Sequence, residues 1–157
     1  MRGHPGFTIL EALVVIAIMA IMTLSVPAFH GWFKGQGVGL SVRQVRVDLQ
    51  QARMAAIKQR QVCAVRFHAP AAGQYTNILT KRVGCLSGYR GGVRFLASGP
   101  DGRSMVSEVG FNRQGMSTAA VARDIFLADG EMTSIYRVRV TGPGSVQVHR
   151  WVDGQWR

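Results

Sequence analysis

The first part of the chain is a long run of apolar residues with little polar interruption. Residues 12–22 are apolar throughout, and the wider stretch 7–29 contains one residue that is charged at neutral pH, Glu11. A helix of about 20 mostly apolar residues is long enough to cross a bilayer. The pattern therefore predicts a transmembrane helix over 7–29.

The segment that follows, 30–40, is rich in glycine. Glycines stand at positions 31, 35, 37 and 39. Each glycine inside a helix weakens it by about 1 kcal/mol relative to alanine. We therefore expect a flexible joint over 30–40, at which the N-terminal helix thins or ends.

A helical period resumes at residue 41 and continues to residue 60. Apolar residues recur there at spacings of three and four, which places them on one stripe: Val42, Val45, Leu49, Ala52 and Ala56. Arg46, Arg53 and Arg60 recur on a different face, and we expect them to be solvated. The pattern predicts an amphipathic helix over 41–60 that packs on a sheet.

From residue 61 the apolar period changes to two, which predicts a β domain over 61–157. The predicted strands, separated by glycine- and proline-containing turns, are 62–67, 75–79, 93–96, 106–112, 124–127, 136–141 and 145–151. Asp153-Gly154 predicts a further tight turn that sets Trp156 opposite Trp151, with a frayed end as the alternative. The predicted fold class is α+β, with one long N-terminal helix packed on an antiparallel β-sheet.

Charge limits the classes of partner. Of 157 residues, 19 are Lys or Arg and 8 are Asp or Glu, which gives a net charge of +11. Such a balance suits phosphate or anionic lipid partners, although arginines that merely solvate the surface give the same number. The four histidines have no metal-ligand spacing, and no nucleophile motif or phosphate loop is present. We therefore predict a protein that is not an enzyme and has no metal or cofactor.

Glu11 is the most informative single residue. A carboxylate at the start of a membrane segment is expensive and is by default functional. The stretch Gly6-Phe7-Thr8-Ile9-Leu10-Glu11 resembles the processing site of a type IV prepilin. An ordinary secretory signal or signal anchor leaves Glu11 and the Gly-Phe junction unexplained.

The prepilin resemblance implies a leader peptide over 1–6, cut between Gly6 and Phe7 by a prepilin peptidase. It also implies N-methylation of the new amine at Phe7. Glu11 then pairs with an α-amine, its own or a neighbour's, and acts in assembly.

Two further stretches are similar to the GspH/FimT-type minor pilins and pseudopilins. Residues 49–60 resemble the family's "LxxARxxAIxR" helix end, and 110–115 resemble its "hydrophobic-x-F-x-x-x-G" strand and turn. The resemblance implies a single-pass inner-membrane protein with a periplasmic domain, later built into a pilus or pseudopilus. The implied partners are membrane lipid, an inner-membrane assembly platform, and other minor and major pilins.

The periplasmic location implied by the resemblance bears on Cys63 and Cys85. Their spacing does not fit a zinc or thioredoxin site. In an oxidising compartment we expect a disulfide between them, with two free thiols as the alternative.

Some members of the family bind DNA through a Gly-Arg-x-Arg element, whereas this chain reads Gly144-Ser145-Val146-Gln147 at that turn. Strand alternation in the closing hairpin suggests a substitute surface made of Arg137, Arg139, His149 and Trp151, with Arg150 nearby. A solvated face whose tryptophan packs on a neighbouring pilin is the alternative.

Three functions therefore remain open. The first is a structural minor pilin that primes or caps a type IV pilus. The others are a minor pseudopilin of type II secretion and a DNA-binding minor pilin for natural transformation.

Overall fold

The computed structural model describes residues 8–68 and 73–157, except for the side chains of residues 24–35. The chain divides into two compact units, Met1–Phe33 and Lys34–Arg157. Gly6 and Phe7, the predicted cleavage and methylation site, lie outside the described residues, as do the side chains of 24–29 in the predicted membrane segment. Within the part that is described, no helix is long and apolar enough to cross a membrane.

One helix, α1, covers Ile9–Gln59. Thr8 caps its start, because the Thr8 hydroxyl accepts a hydrogen bond of 3.3 Å from the backbone N–H of Glu11. A glutamate three residues after a threonine is the sequence pattern of a capping box. At the other end Arg60 has a φ of 51°, and the N–H of Gln61 donates to the carbonyl of Ala56 at 3.2 Å. These are the features of a Schellman C-cap, with arginine in the place of the usual glycine.

The backbone of α1 continues through 30–40, but the boundary between the two compact units, after Phe33, falls inside this segment, so the joint stays a prediction. Within the second unit, Gly37 allows a close approach of α1 to Arg90. A Cβ at position 37 would lie 1.9 Å from the carbonyl oxygen of Arg90, so only glycine allows so close an approach. Val38 and Val42, which follow Gly37 on α1, are 0% and 2% exposed. Their burial stabilises this part of α1 against the weak helix propensity of Gly37 and Gly39.

Nine strands follow in the described part of the chain: β1 Cys63–Phe67, β2 Gln74–Asn77, β3 Val83–Cys85, β4 Arg94–Leu96, β5 Glu108–Phe111, β6 Arg123–Ala128, β7 Ile135–Val140, β8 Val146–Val152 and β9 Gln155–Trp156. They form two sheets, ordered β3-β2-β1-β5 and β4-β6-β7-β8-β9. Every pairing between these strands is antiparallel. The α+β prediction is confirmed, with two sheets where one was expected.

α1 and both sheets share one hydrophobic core. The predicted stripe on α1 is confirmed, because Val42, Val45, Leu49, Ala52 and Ala56 are each at most 2% exposed. Aromatic rings fill the space next to it, and Phe67 and Tyr75 of the first sheet contact Phe95 of the second. A smaller cluster, which includes Leu96, Phe126, Ala128 and Trp156, is separate from this core.

The expected disulfide is wrong, because Cys63 and Cys85 are free thiols. Cys85 pairs with Gln74 on β2, and the N–H of His68 donates to the carbonyl of Gln74. Position 68 is five residues from Cys63 along the chain, which corresponds to about 17 Å in an extended strand. Disulfide geometry requires Cα atoms within about 7 Å, so the strand register keeps the two thiols apart.

Candidate assembly and binding surfaces

The N-terminal part of α1 presents an apolar surface that the rest of its unit leaves uncovered. Every described side chain from Thr8 to Thr23 is exposed, including Ile9 at 89% and Met22 at 68%. Glu11, also exposed, stands in the first turn of α1, where the positive end of the helix dipole favours a carboxylate. Exposed apolar surface of this extent marks a lipid or protein contact.

The closing hairpin β7–β8 has the predicted alternation. Arg137 pairs with His149, and Arg139 pairs with Gln147, on one face. Tyr136 pairs with Arg150 on the other face. The register therefore separates Arg150 from the other predicted DNA-binding side chains.

Arg137 is not at the surface, so the expectation that it is exposed is wrong. It is 6% exposed, with its Nη1 atom 3.6 Å from Oδ2 of Asp101. Its guanidinium carbon lies 4.4 Å from the ring centroid of Trp156, a cation–π arrangement. Burial lowers the pKa of Arg137, and the charge of Arg139 lowers it further. Among the described side chains no group accepts a hydrogen bond from its Nε.

Arg139 is held by the chain's own carboxylate. Its Nε and Nη2 atoms donate to the two oxygens of Asp124 at 2.7 and 2.8 Å. Arg103 also approaches Asp124, at 3.5 Å. Burial would raise the pKa of Asp124, but the hydrogen bond and charge of Arg139, together with Arg137 and Arg103, outweigh it and lower that pKa. A bidentate pair of this kind leaves Arg139 little capacity for an external phosphate.

Ion pairs link five residues of this face, here called the arginine–aspartate cluster: Arg103, Arg137, Arg139, Asp101 and Asp124. Trp156 covers the cluster. The indole Nε1 donates to Asp101 at 3.0 Å, and its ring lies 5.8 Å from that of Phe126. The predicted tight turn is confirmed, since Asp153 and Gly154 have φ values of 52° and 78°, and Trp156 pairs with Trp151. The two indole centroids are 4.9 Å apart.

His149, partly buried beside the cluster, adds no fixed positive charge. Burial lowers the pKa of His149, and the charges of Arg137 and Arg139 lower it further. Four of the five predicted DNA-binding side chains therefore lie on one face of the hairpin, but the chain's own carboxylates and tryptophan occupy much of that face.

Arg150 belongs to a different surface, which the sequence did not indicate. Its guanidinium carbon lies 5.8 Å from the ring centroid of Tyr136. Tyr136 in turn lines an open groove of about 400 Å³, here called the Tyr136 groove, with Gln36, Gly39, Leu40 and Arg43 of α1. The hairpin pattern in the sequence could have placed Tyr136 opposite Arg150. The approach of α1 to Tyr136, which forms the groove, depends on the tertiary fold.

A second apolar stripe runs along α1, here called the outer stripe: Leu40, Val47 and Met54. Their exposed fractions are 53%, 42% and 64%. Residues seven apart lie on nearly the same face of a helix, and this face is about 180° round the axis from the buried Val45 and Leu49. Leu40 also lines the Tyr136 groove, so the stripe and the groove are continuous.

Arg53 has a structural role in place of the solvated one expected for it. Its Nε donates to the carbonyl of Gly115 at 2.8 Å, and its Nη2 donates to that of Pro143 at 3.4 Å. Gly144 lies at the same junction and has a φ of 79°. A Cβ at this position would lie only 2.0 Å from the carbonyl oxygen of Gly115, so there is no room for a side chain. The turn at Gly144 is therefore packed against a loop and α1.

Residues 1–26 match the family model described as the prokaryotic N-terminal methylation motif. Two crystal structures of the type IV minor pilin FimU from Pseudomonas aeruginosa (strain PAO1) are similar in fold. One has a TM-score of 0.56 at 13% identity, over 76% of this chain and 92% of that chain. The other has a TM-score of 0.52 at 12% identity, over 76% and 97%. A comparison with curated protein sequences finds no match.

The chain therefore joins the N-terminal motif of type IV prepilins to the fold of a minor pilin. At this level of identity the likeness to FimU is one of fold, and the GspH/FimT subfamily stays a prediction. Motif and fold together point to a structural protein rather than an enzyme.

Proposed function

We propose that this chain is a structural minor pilin, built into a type IV pilus after a prepilin peptidase cuts between Gly6 and Phe7. The new α-amine at Phe7 is then methylated. Before assembly, residues 7–29 hold the chain in the bacterial inner membrane and the domain lies in the periplasm. In the pilus the chain contacts other pilins and helps to prime or cap the filament.

The observation that carries the proposal is the combination of features on one helix. The methylation motif covers 1–26, and α1 extends from Ile9 to Gln59. Its Lys34–Gln59 part supplies a face of the core in a domain with the fold of FimU. A methylation motif on a helix that enters such a domain suits a subunit that is first held in a membrane and then packed beside other helices.

Glu11 is the assembly residue in this proposal. An unpaired carboxylate in hydrocarbon costs about 2.5–3.5 kcal/mol on insertion scales. Pairing with the α-amine of Phe7 in the same or a neighbouring chain offsets that cost. The exposure of Glu11 and its place in the first turn of α1 support a contact with another subunit.

The test compares Glu11→Ala with Glu108→Ala in the full chain, expressed in cells that lack the native gene. Glu108 is an exposed carboxylate on β5, paired with Arg66 at 3.1 Å, and is the matched control. We expect Glu11→Ala to be cleaved normally but to be depleted at least tenfold from sheared pili, whereas Glu108→Ala is incorporated normally. Normal incorporation of Glu11→Ala removes the assembly role, and failure of leader cleavage in the parent chain removes the whole proposal.

The alternatives are separated by what a deletion of the gene abolishes. Loss of piliation supports the minor pilin, loss of exoprotein secretion supports a type II secretion pseudopilin, and loss of DNA uptake with pili intact supports a DNA receptor.

DNA binding has its own test, fluorescence anisotropy of the full chain in detergent with short duplex DNA over a salt series. Binding through phosphates weakens steeply with salt. Because Arg139 is paired and Arg137 is buried, we expect the Arg137→Ala/Arg139→Ala variant to bind as the parent does. A large loss of affinity in that variant, with the fold intact, would support the DNA receptor.

A further inference from the structure

We propose that the outer stripe and the Tyr136 groove together form a docking surface for a different, acidic protein subunit. The inference rests on the proposed function and names the chemistry of the neighbour. It makes the chain a subunit that assembles with unlike partners through this face and does not pack there against copies of itself.

The outer stripe supplies the apolar part of the surface. Leu40, Val47 and Met54 follow one another at heptad spacing, as in helices that pack lengthwise against another helix. The stripe spans about 21 Å along α1. The core side of α1 is already filled, and these side chains belong to neither buried cluster of the described residues. An apolar stripe of this kind lowers the free energy only when a second chain covers it.

The Tyr136 groove supplies the charged part. Arg43 lines it, and Arg150 stacks on Tyr136 beside it. Among the described residues no carboxylate forms an ion pair with either arginine. Two unpaired guanidinium groups flanking an aromatic ring favour a carboxylate-bearing segment.

The outward side of α1 has no compensating negative charge. Asp48 is the single carboxylate in the sequence between residues 34 and 59. It is already bonded, since it accepts hydrogen bonds from the hydroxyl of Tyr75 and from Gln44. Arg43, Arg46 and Lys58 are exposed on the same helix. The charged side chains exposed on this part of α1, beside the apolar stripe, are therefore all cationic.

The charge of the surface distinguishes three classes of occupant: a second copy of the chain, a nucleic acid and a different protein. A second copy of the chain would bring its own excess of cations, part of a net charge of +11, against the same face. Like charges placed opposite each other disfavour a contact. A nucleic acid would match the arginines but would leave Leu40, Val47 and Met54 in water. A protein helix with apolar residues and flanking carboxylates matches both parts.

The experiment places a photo-crosslinking amino acid at position 47 of the full chain in piliated cells. A second variant carries the same group at position 83. Val83 is 60% exposed on β3, at the edge of the other sheet, and is the control position. The crosslinked protein is identified by mass spectrometry, so its net charge follows from its sequence. At position 47 we expect one adduct, with a net-negative protein. At position 83 we do not expect an adduct with that protein.

Charge reversal then tests the groove. Arg43→Glu and Arg150→Glu are expected to lower the adduct yield at position 47 at least tenfold. Arg94→Glu makes the same charge change at an exposed residue of β4 and is expected to leave the yield unchanged. A crosslinked homodimer, a net-positive partner, an adduct with nucleic acid or the absence of an adduct would each overturn the inference.

Leader cleavage and recovery in sheared pili are measured in the same cells. A chain that is cleaved and incorporated but gives no acidic adduct at position 47 contradicts the docking surface alone. A chain that is neither cleaved nor incorporated contradicts the proposed function itself.

Discussion

Arg137 and Trp156 form a stacked pair in which the guanidinium carbon lies 4.4 Å from the indole centroid. The pair joins β7, in the middle of the second sheet, to β9 at its edge. The same indole donates a hydrogen bond to Asp101, which also lies near Arg137. The last residues of the chain thus cover a buried cation, and several properties of the protein depend on that contact.

Replacing Trp156 with alanine is expected to lower the free energy of unfolding by about 2–3 kcal/mol, because the ring contacts and the cation–π contact are lost together. Trp156→Phe keeps a ring but loses the hydrogen bond to Asp101, so we expect a smaller loss of about 1 kcal/mol. Denaturant unfolding of the full chain in detergent measures both. An alanine variant as stable as the parent would show that the C-terminal hairpin does not contribute to the fold.

The pair of Asp124 and Arg139 predicts how stability depends on pH. Because the folded protein lowers the pKa of Asp124, the unfolded chain binds protons more readily there, and stability falls as the pH drops. The contribution is fully present above the unfolded pKa of about 3.9 and is lost as the pH falls through the lower folded value.

The check is a comparison of Asp124→Asn and Asp153→Asn by thermal unfolding between pH 7 and pH 3. At pH 7 we expect Asp124→Asn to lose about 3 kcal/mol, because it leaves Arg139 without its partner. Its stability then falls less steeply with acid than that of the parent. Asp153 is a matched control, since its side chain is 77% exposed and lies 3.8 Å from Arg157. Parallel acid profiles for Asp124→Asn and the parent would refute the assignment.

Gly37 and Gly39 form a matched pair inside α1. A Cβ at Gly37 meets the carbonyl oxygen of Arg90 at 1.9 Å, whereas a Cβ at Gly39 meets nothing within 4 Å. Gly37→Ala is therefore expected to destabilise the domain by about 1–3 kcal/mol through overpacking. Gly39→Ala is expected to stabilise it by up to about 1 kcal/mol through helix propensity. Melting temperatures of the two variants decide the matter, and shifts of the same sign would contradict the close approach of α1 to Arg90.

The two cysteines are expected to differ in reactivity. Cys85 is exposed, and a hydrogen bond with Ser87 lowers its pKa. Burial raises the pKa of the Cys63 thiol. In the folded protein a thiol reagent should label Cys85 quickly and Cys63 only after denaturant is added, since the thiolate is the reactive form. Cys85→Ser should remove the fast phase, and reductant should leave the melting temperature unchanged; a fall in that temperature would point to a disulfide.

The α+β class and most strands were readable from periodicity. The core stripe on α1 follows from spacings of three and four, and its five predicted members are buried. The turn at Asp153-Gly154 follows from its residues, because aspartate and glycine tolerate the positive φ that a tight hairpin needs. These features depend on neighbours in sequence, so local physics is sufficient.

The failures concern contacts between residues far apart in sequence. The disulfide was reasonable from composition, but the strand register keeps the two cysteines apart. The surface at Arg137 failed for the same reason. Strand alternation correctly predicted the face of β7 on which Arg137 lies, whereas the burial of Arg137 depends on Trp156 and Asp101.

The sequence by itself determined the methylation motif, the alternation of faces in each strand and the excess of positive charge, because these are properties of residue type and spacing. Only the tertiary structure decided which cations are neutralised. Asp124 forms an ion pair with Arg139, whereas Arg43 and Arg150 form no ion pair with a described carboxylate. Burial and ion pairing depend on which elements pack together, and packing brings together residues that no local pattern connects.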